Sequence, residues 1–207
     1  MSIRLRAGLT AGVAVAVVTP FALHAQTTLG DITPFLLDRD REIAIARTAG
    51  PNDIGANATV LVLTRKGYER AASGTNGFTC FVGRGWSGPV IQEREGKGVV
   101  APAATDPTQL APHCFGPEAA ATTLKWQEFL TTELIAGTPF EKLHARTAEA
   151  LQRGELRAPG VGAFAYMVSP HMHFGERFKN WKPHLMVYMP YMTHQELGSI
   201  GFRGNAT

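Results

Sequence analysis

The run Thr59-Val60-Leu61-Val62-Leu63-Thr64 constrains the fold of this chain more than any other segment. Its β-branched and apolar residues favour a strand, and strand side chains alternate between two faces, so four consecutive apolar residues make both faces apolar. Such a strand has to be covered on each side. Three segments have the pattern of helices that can do this. Asp38 to Ala49 is rich in charge and helix formers, with Asp38 as N-cap and Gly50-Pro51 as a stop. Pro117 to Ala136 sets Trp126, Leu130 and Leu134 on one ridge before Gly137. Thr138-Pro139-Phe140-Glu141 reads as a capping box that opens a helix to Arg153, with Phe140, Leu143, Thr147 and Leu151 on one face and Gly154 as the stop. The expectation is an α+β fold, an antiparallel sheet with helices packed on it, in a single domain.

Further strands are expected at Tyr68 to Ser73 and through Phe78, Cys80 and Val82, with Asn76-Gly77 as a turn between them, which together with the first strand reads as an antiparallel meander. Gly83 to Pro117 is rich in Gly and Pro, and Pro102, Pro107 and Pro112 are expected to block regular ladders across it. Two more strands are expected at Gly162 to Val168 and His184 to Met189, joined through Phe174, Phe178 and Trp181. In the last, Leu185, Val187 and Met189 point one way and His184, Met186 and Tyr188 the other.

The N-terminus carries Arg4 and Arg6, an apolar run from Ala7 to Val18, Pro20, and then Leu23-His24-Ala25. These are the charged, apolar and small-residue regions of a secretory signal, cleaved after Ala25, which leaves a domain over 26–207 and a periplasmic or extracellular location. The apolar run is interrupted by Gly8, Thr10 and Gly12 and is too short for a comfortable membrane span, so no stable insertion is expected after cleavage. The leader holds two of the 20 Lys+Arg and none of the 17 Asp+Glu, so the remainder has 18 basic against 17 acidic residues. A near-neutral chain with interspersed charge and no basic run lacks the footprint of a nucleic-acid binder or of a basic membrane-surface patch. In an oxidising compartment the only two cysteines, Cys80 and Cys114, are expected to pair, a cross-link worth roughly 3 to 4 kcal/mol in the chain-entropy account. Their spacing fits neither C-x-x-C nor a zinc pattern.

Several motifs fall short of the chemistry they suggest. Gly83-Arg84-Gly85-Trp86-Ser87-Gly88 fits G-x-G-x-x-G, but Pro89-Val90-Ile91 follows where a phosphate-binding helix would start. Around Ser87 a nucleophile elbow is incomplete, since Pro89 stands where the last glycine belongs. All methionines except Met1 lie between Met167 and Met192, together with His171, His173 and His184, and His194 follows just after. Imidazole and thioether together suit copper, and the residues that can converge are His171, His173, His184 and Met186. The competing reading makes Met167, Met186 and Met189 core packing. His171-Met172-His173 with Glu176 resembles part of the first cupin metal motif, yet its His-to-Glu spacing differs and no second motif follows, so no cupin function is carried over. His144 flanks an apolar helix face, where a partly buried, hydrogen-bonded role is the ordinary one. Trp181, Tyr188 and Tyr191 can line a small-molecule pocket or pack in the core.

Gly74-Thr75-Asn76-Gly77-Phe78-Thr79-Cys80, and Pro183-His184-Leu185-Met186-Val187-Tyr188 with Pro190-Tyr191, resemble segments of an uncharacterised family of secreted bacterial proteins. The resemblance spans most of the mature chain and implies export, with no assigned activity. The functional expectation is therefore a secreted binding or envelope-associated module without catalytic machinery and without a cofactor. The alternatives are a His/Met copper-type protein and a hydrolase whose site is not readable in the sequence.

Overall fold

Thr59–Thr64 forms strand β1, and Val60, Leu61, Val62 and Leu63 are all buried, as a strand apolar on both faces requires. The computed structural model describes residues 26–88, 91–94, 97–174, 182–190, 192–193 and 196; residues 1–25, expected to be a signal, and Glu176, Phe178, Trp181, Tyr191 and His194 lie outside them. On one face Val60 packs with Cys80, Val82 and Cys114 against Ile45 and Ala46 of helix α1 (Arg39–Arg47) and against Ala49. On the other, Leu61 packs with Phe81, Phe115 and Ala165 against Ala119 of α3 (Pro117–Ala121) and Leu124 of α4 (Thr123–Ile135). A third cluster joins Leu63 to Phe35, Trp86, Leu134, Phe140 and Leu143. The cover on both sides comes from helices, giving one α+β domain.

The other strands of the main sheet are β2 (Gly67–Ala72), β3 (Thr79–Gly83), β6 (Ala111–Phe115), β7 (Ala163–Met167) and β8 (His184–Tyr188), with Ile91–Arg94 (β4) and Lys97–Val100 (β5) forming a separate hairpin. The sheet order is β2-β1-β3-β6-β7-β8. It is mixed, which corrects the meander: β1 and β2 are antiparallel, but β3 lies on the far side of β1 and parallel to it. The connection from β2 crosses the start of β1. Thr75 N donates to Asn57 O at 2.9 Å, Gly74 N to Thr59 Oγ1 at 3.1 Å, and Thr59 N to Phe78 O at 2.9 Å. A Cβ on residue 74 would lie 2.2 Å from the Ala58 carbonyl carbon, so glycine is what allows this crossing. Asn76 secures it by donating to Ile54 O and accepting from Phe78 N.

Three further expectations change. Pro112 does not interrupt the ladder but stands within β6, opposite Val82. The Val82 carbonyl accepts from Tyr68 Oη and Arg84 Nη1, and the β6–β7 register covers only Cys114 and Phe115, so no strand partner requires the missing amide of Pro112. Pro117 to Ala136 is two helices, because Thr122 leaves helical geometry (φ −128°, ψ −79°) and returns its hydroxyl to Glu118 O at 2.6 Å. The capping box at Thr138 does not form: Phe140–Lys142 is a 3-10 turn leading into α5 (Leu143–Gln152). Glu141 accepts instead from Thr27 N, and Thr138 Oγ1 donates to Glu133. The Asp38 cap is present, with Arg41 N donating to Asp38 Oδ1 at 3.0 Å, and a short helix α2 (Asn52–Asn57) follows Pro51.

Cys80 and Cys114 are directly opposite one another in β3 and β6 and form a fully buried disulfide beneath α1. Nearby, Glu42 and Arg84 form a buried ion pair in which Arg84 Nη2 donates to both carboxylate oxygens at 3.0 Å. Arg84 Nε donates to Phe35 O, and Leu63 N donates to Glu42 Oε1, so α1, β1, β3 and the segment before α1 meet on one polar knot. Burial pushes the Glu42 carboxyl above the usual glutamate range, and the Arg84 charge opposes this. Among the described residues no helix is long and apolar enough to cross a membrane.

Candidate functional site: an aromatic groove and a histidine row

A groove of about 800 Å³ opens where the start of α4, the end of α5, the 154–159 loop and the end of β8 meet. Trp126, Leu151, Leu156, Pro159, Tyr188 and Met189 supply most of its apolar lining. Its loop wall is fastened by hydrogen bonds and an ion pair. Trp126 Nε1 donates to Arg157 O at 3.0 Å, Arg157 clamps Glu118 at 2.9 and 3.3 Å, and Gly160 N donates to the same carboxylate. These contacts hold the Glu118 carboxyl below its usual range, Arg157 contributing most. Thr123, also in the lining, has a hydroxyl with no hydrogen-bond partner among the described residues. Tyr188 reaches the groove because β8 alternates: Ala163 pairs with Tyr188, Ala165 with Met186 and Met167 with His184, which puts Tyr188, Met186 and His184 on the face of α3 and α4. Burial raises the Tyr188 phenol above its ordinary pKa.

His184 and Met186 thus share one face of β8, while His171 and His173 are held elsewhere. As the chain leaves β7, Val168 N donates to Ala49 O and Ser169 Oγ meets Thr48 Oγ1 at 2.6 Å, fastening the loop to the end of α1, on the opposite face. His171 N donates to Ser169 Oγ within that loop, and His173 exchanges backbone hydrogen bonds with Leu110. Both histidines are exposed. Among the described residues no group of three or more His, Cys, Asp or Glu side chains is gathered that could hold a metal ion.

The histidine that the motif reading missed is His113. It sits in β6, 7% exposed, its ring parallel to that of Phe115 and tilted against Phe81. Burial lowers its pKa to about 4, a hydrogen bond to Ala111 O opposes the shift, and the nearby charge of His184 adds to it. The only signal in the sequence was a histidine one residue before a cysteine expected to form a disulfide. His144 is exposed on α5.

The glycine-rich segment serves packing. Gly85–Ser87 is a 3-10 turn followed by the β4–β5 hairpin, and a Cβ at Gly85 would lie 1.5 Å from Ala103 O. Ser87 Oγ accepts from Arg84 N at 3.1 Å, which makes it the brace of that turn. No family model, curated protein or solved structure matches the chain.

Proposed function

We propose that the chain is an extracytoplasmic binding protein without catalytic machinery, which holds a small, largely apolar ligand between Trp126 and Tyr188. The observation that carries this reading is the groove itself: about 800 Å³, walled by three separate segments of chain, with its loop wall held by the Glu118–Arg157 clamp. Concave, mainly apolar walls with aromatic rings and a few polar tips are the usual composition of small-ligand sites. Export follows from the leader, with cleavage after Ala25, and the buried Cys80–Cys114 disulfide suits an oxidising compartment.

Titration with the fluorescent probe 8-anilinonaphthalene-1-sulfonate tests the groove. The wild type should bind it saturably, and Trp126→Leu, which removes an aromatic wall, or Ala158→Trp, which fills the space, should weaken binding roughly ten-fold, about 1.4 kcal/mol. Equal affinity in all three proteins rejects the groove as the site. Export is tested by N-terminal sequencing of the secreted product, which should begin at Gln26.

A further inference from the structure

Three potential metal ligands line up across the last three strands of the sheet. Met167 pairs with His184 between β7 and β8, and Cys114 pairs with Tyr166 between β6 and β7. The pairs of that second ladder are Cys114–Tyr166 and Phe115–Ala165 alone; its register continued by one residue sets His113 opposite Met167. Side chains opposite one another in adjacent strands stand on the same face, so His113, Met167 and His184 form one row: imidazole, thioether, imidazole. The outer two strands are about 10 Å apart. Two imidazoles on a common face can reach a shared ion across that gap, with the thioether rising between them.

Both imidazoles are oriented in the same way. His113 Nδ1 is 2.7 Å from Ala111 O and His184 Nδ1 is 2.8 Å from Lys182 O. A carbonyl oxygen only accepts, so each Nδ1 carries the proton and each Nε2 the lone pair. A histidine whose other ring nitrogen is anchored on a backbone carbonyl is the usual arrangement of a metal ligand. The donor set is neutral, and His113 and Met167 are buried, at 7% and 4% exposure. A neutral, partly desolvated set with a soft sulfur favours a monovalent soft ion over a divalent one, whose greater charge would be left uncompensated. His184 is half-buried, on the terminal strand of the sheet among the described residues.

We propose that His113, Met167 and His184 form a binding site for a cuprous ion. It differs from the set suggested by residue clustering: it keeps His184, and takes its second imidazole from β6 and its sulfur from β7. The test uses untagged protein with its disulfide intact, titrated anaerobically into the cuprous bicinchoninate complex with ascorbate present. One equivalent of copper should pass to the wild type. Met167→Leu keeps the volume and removes the sulfur, and His184→Gln changes a half-buried position, so both should fold, as circular dichroism will check. Each should weaken binding roughly 10- to 100-fold. X-ray absorption of the loaded wild type should show two nitrogen ligands and one sulfur. Failure of the wild type to withdraw copper, or variants that compete as well as the wild type, overturns the site. So does a loss confined to His171→Ala and His173→Ala. None of these outcomes depends on the groove at Trp126.

Discussion

At the scale of single residues, the two buried polar groups that matter most have opposite characters. Arg84 and Glu42 satisfy one another, and three further backbone groups, Phe35 O, Val82 O and Leu63 N, complete the set. Arg84→Met would leave the Glu42 carboxylate buried without its partner, and urea denaturation should show a loss of about 3–5 kcal/mol. The double variant with Glu42→Leu should recover much of it, since the uncompensated charge is gone. His113 is instead a base kept neutral. Its folded pKa, about 4, lies below the ordinary 6.5, so the stability it permits is complete above pH 6.5 and is lost as pH falls through that window toward 4. The loss approaches about 3 kcal/mol. Urea midpoints at pH 7 and pH 4.5 should differ more in the wild type than in His113→Phe, and identical differences would remove His113 as the cause. The sequence marks Arg84 only as part of a glycine-rich motif and His113 only by its place beside Cys114, because burial of a polar residue depends on what packs over it.

Among the elements, the connection between β2 and β3 decides the sheet. Asn76-Gly77 has the composition of a hairpin turn, and the left-handed geometry is used, since Gly77 has φ +78°. What composition does not carry is the direction in which the chain leaves the turn. Gly74 sets this by letting two backbone segments cross in contact, and Gly74→Ala should lower stability by about 2–3 kcal/mol in thermal or urea melts. Helix α1 lies over β1, β3 and β6, and beyond it β8 exposes Leu185 and Val187 on the same face, at 49% and 47%. Replacing either with Thr should change stability by less than about 0.5 kcal/mol, in contrast to the buried Leu61 or Val62. Strand and helix positions were legible wherever periodicity was strong, as in β1, β7, β8 and α1. Strand β6 was not, because Pro112 argues against a strand until the neighbouring ladder is known to stop short of it.

For the whole molecule, the Cys80–Cys114 bond joins the central strands beneath α1, so reductant should act only after the chain opens. In urea with dithiothreitol the midpoint should fall by the equivalent of about 3–4 kcal/mol, whereas dithiothreitol without urea should leave the far-UV spectrum unchanged. The sequence by itself determined that there is a sheet buried on both faces, that helices cover it, and that two cysteines are available to link it, because periodicity and composition act over a few neighbouring residues. It also placed His184, Met186 and Tyr188 on one strand face, for the same reason. Only the tertiary structure decided which strands adjoin, and with that the mixed sheet, the groove shared by α4, α5 and β8, and the row of His113, Met167 and His184. Those features join residues up to 71 positions apart, as His113 and His184 are. Pairing at that distance is set by how the apolar faces pack and by where a glycine permits one segment to cross another, and neither is written in the local pattern of either strand.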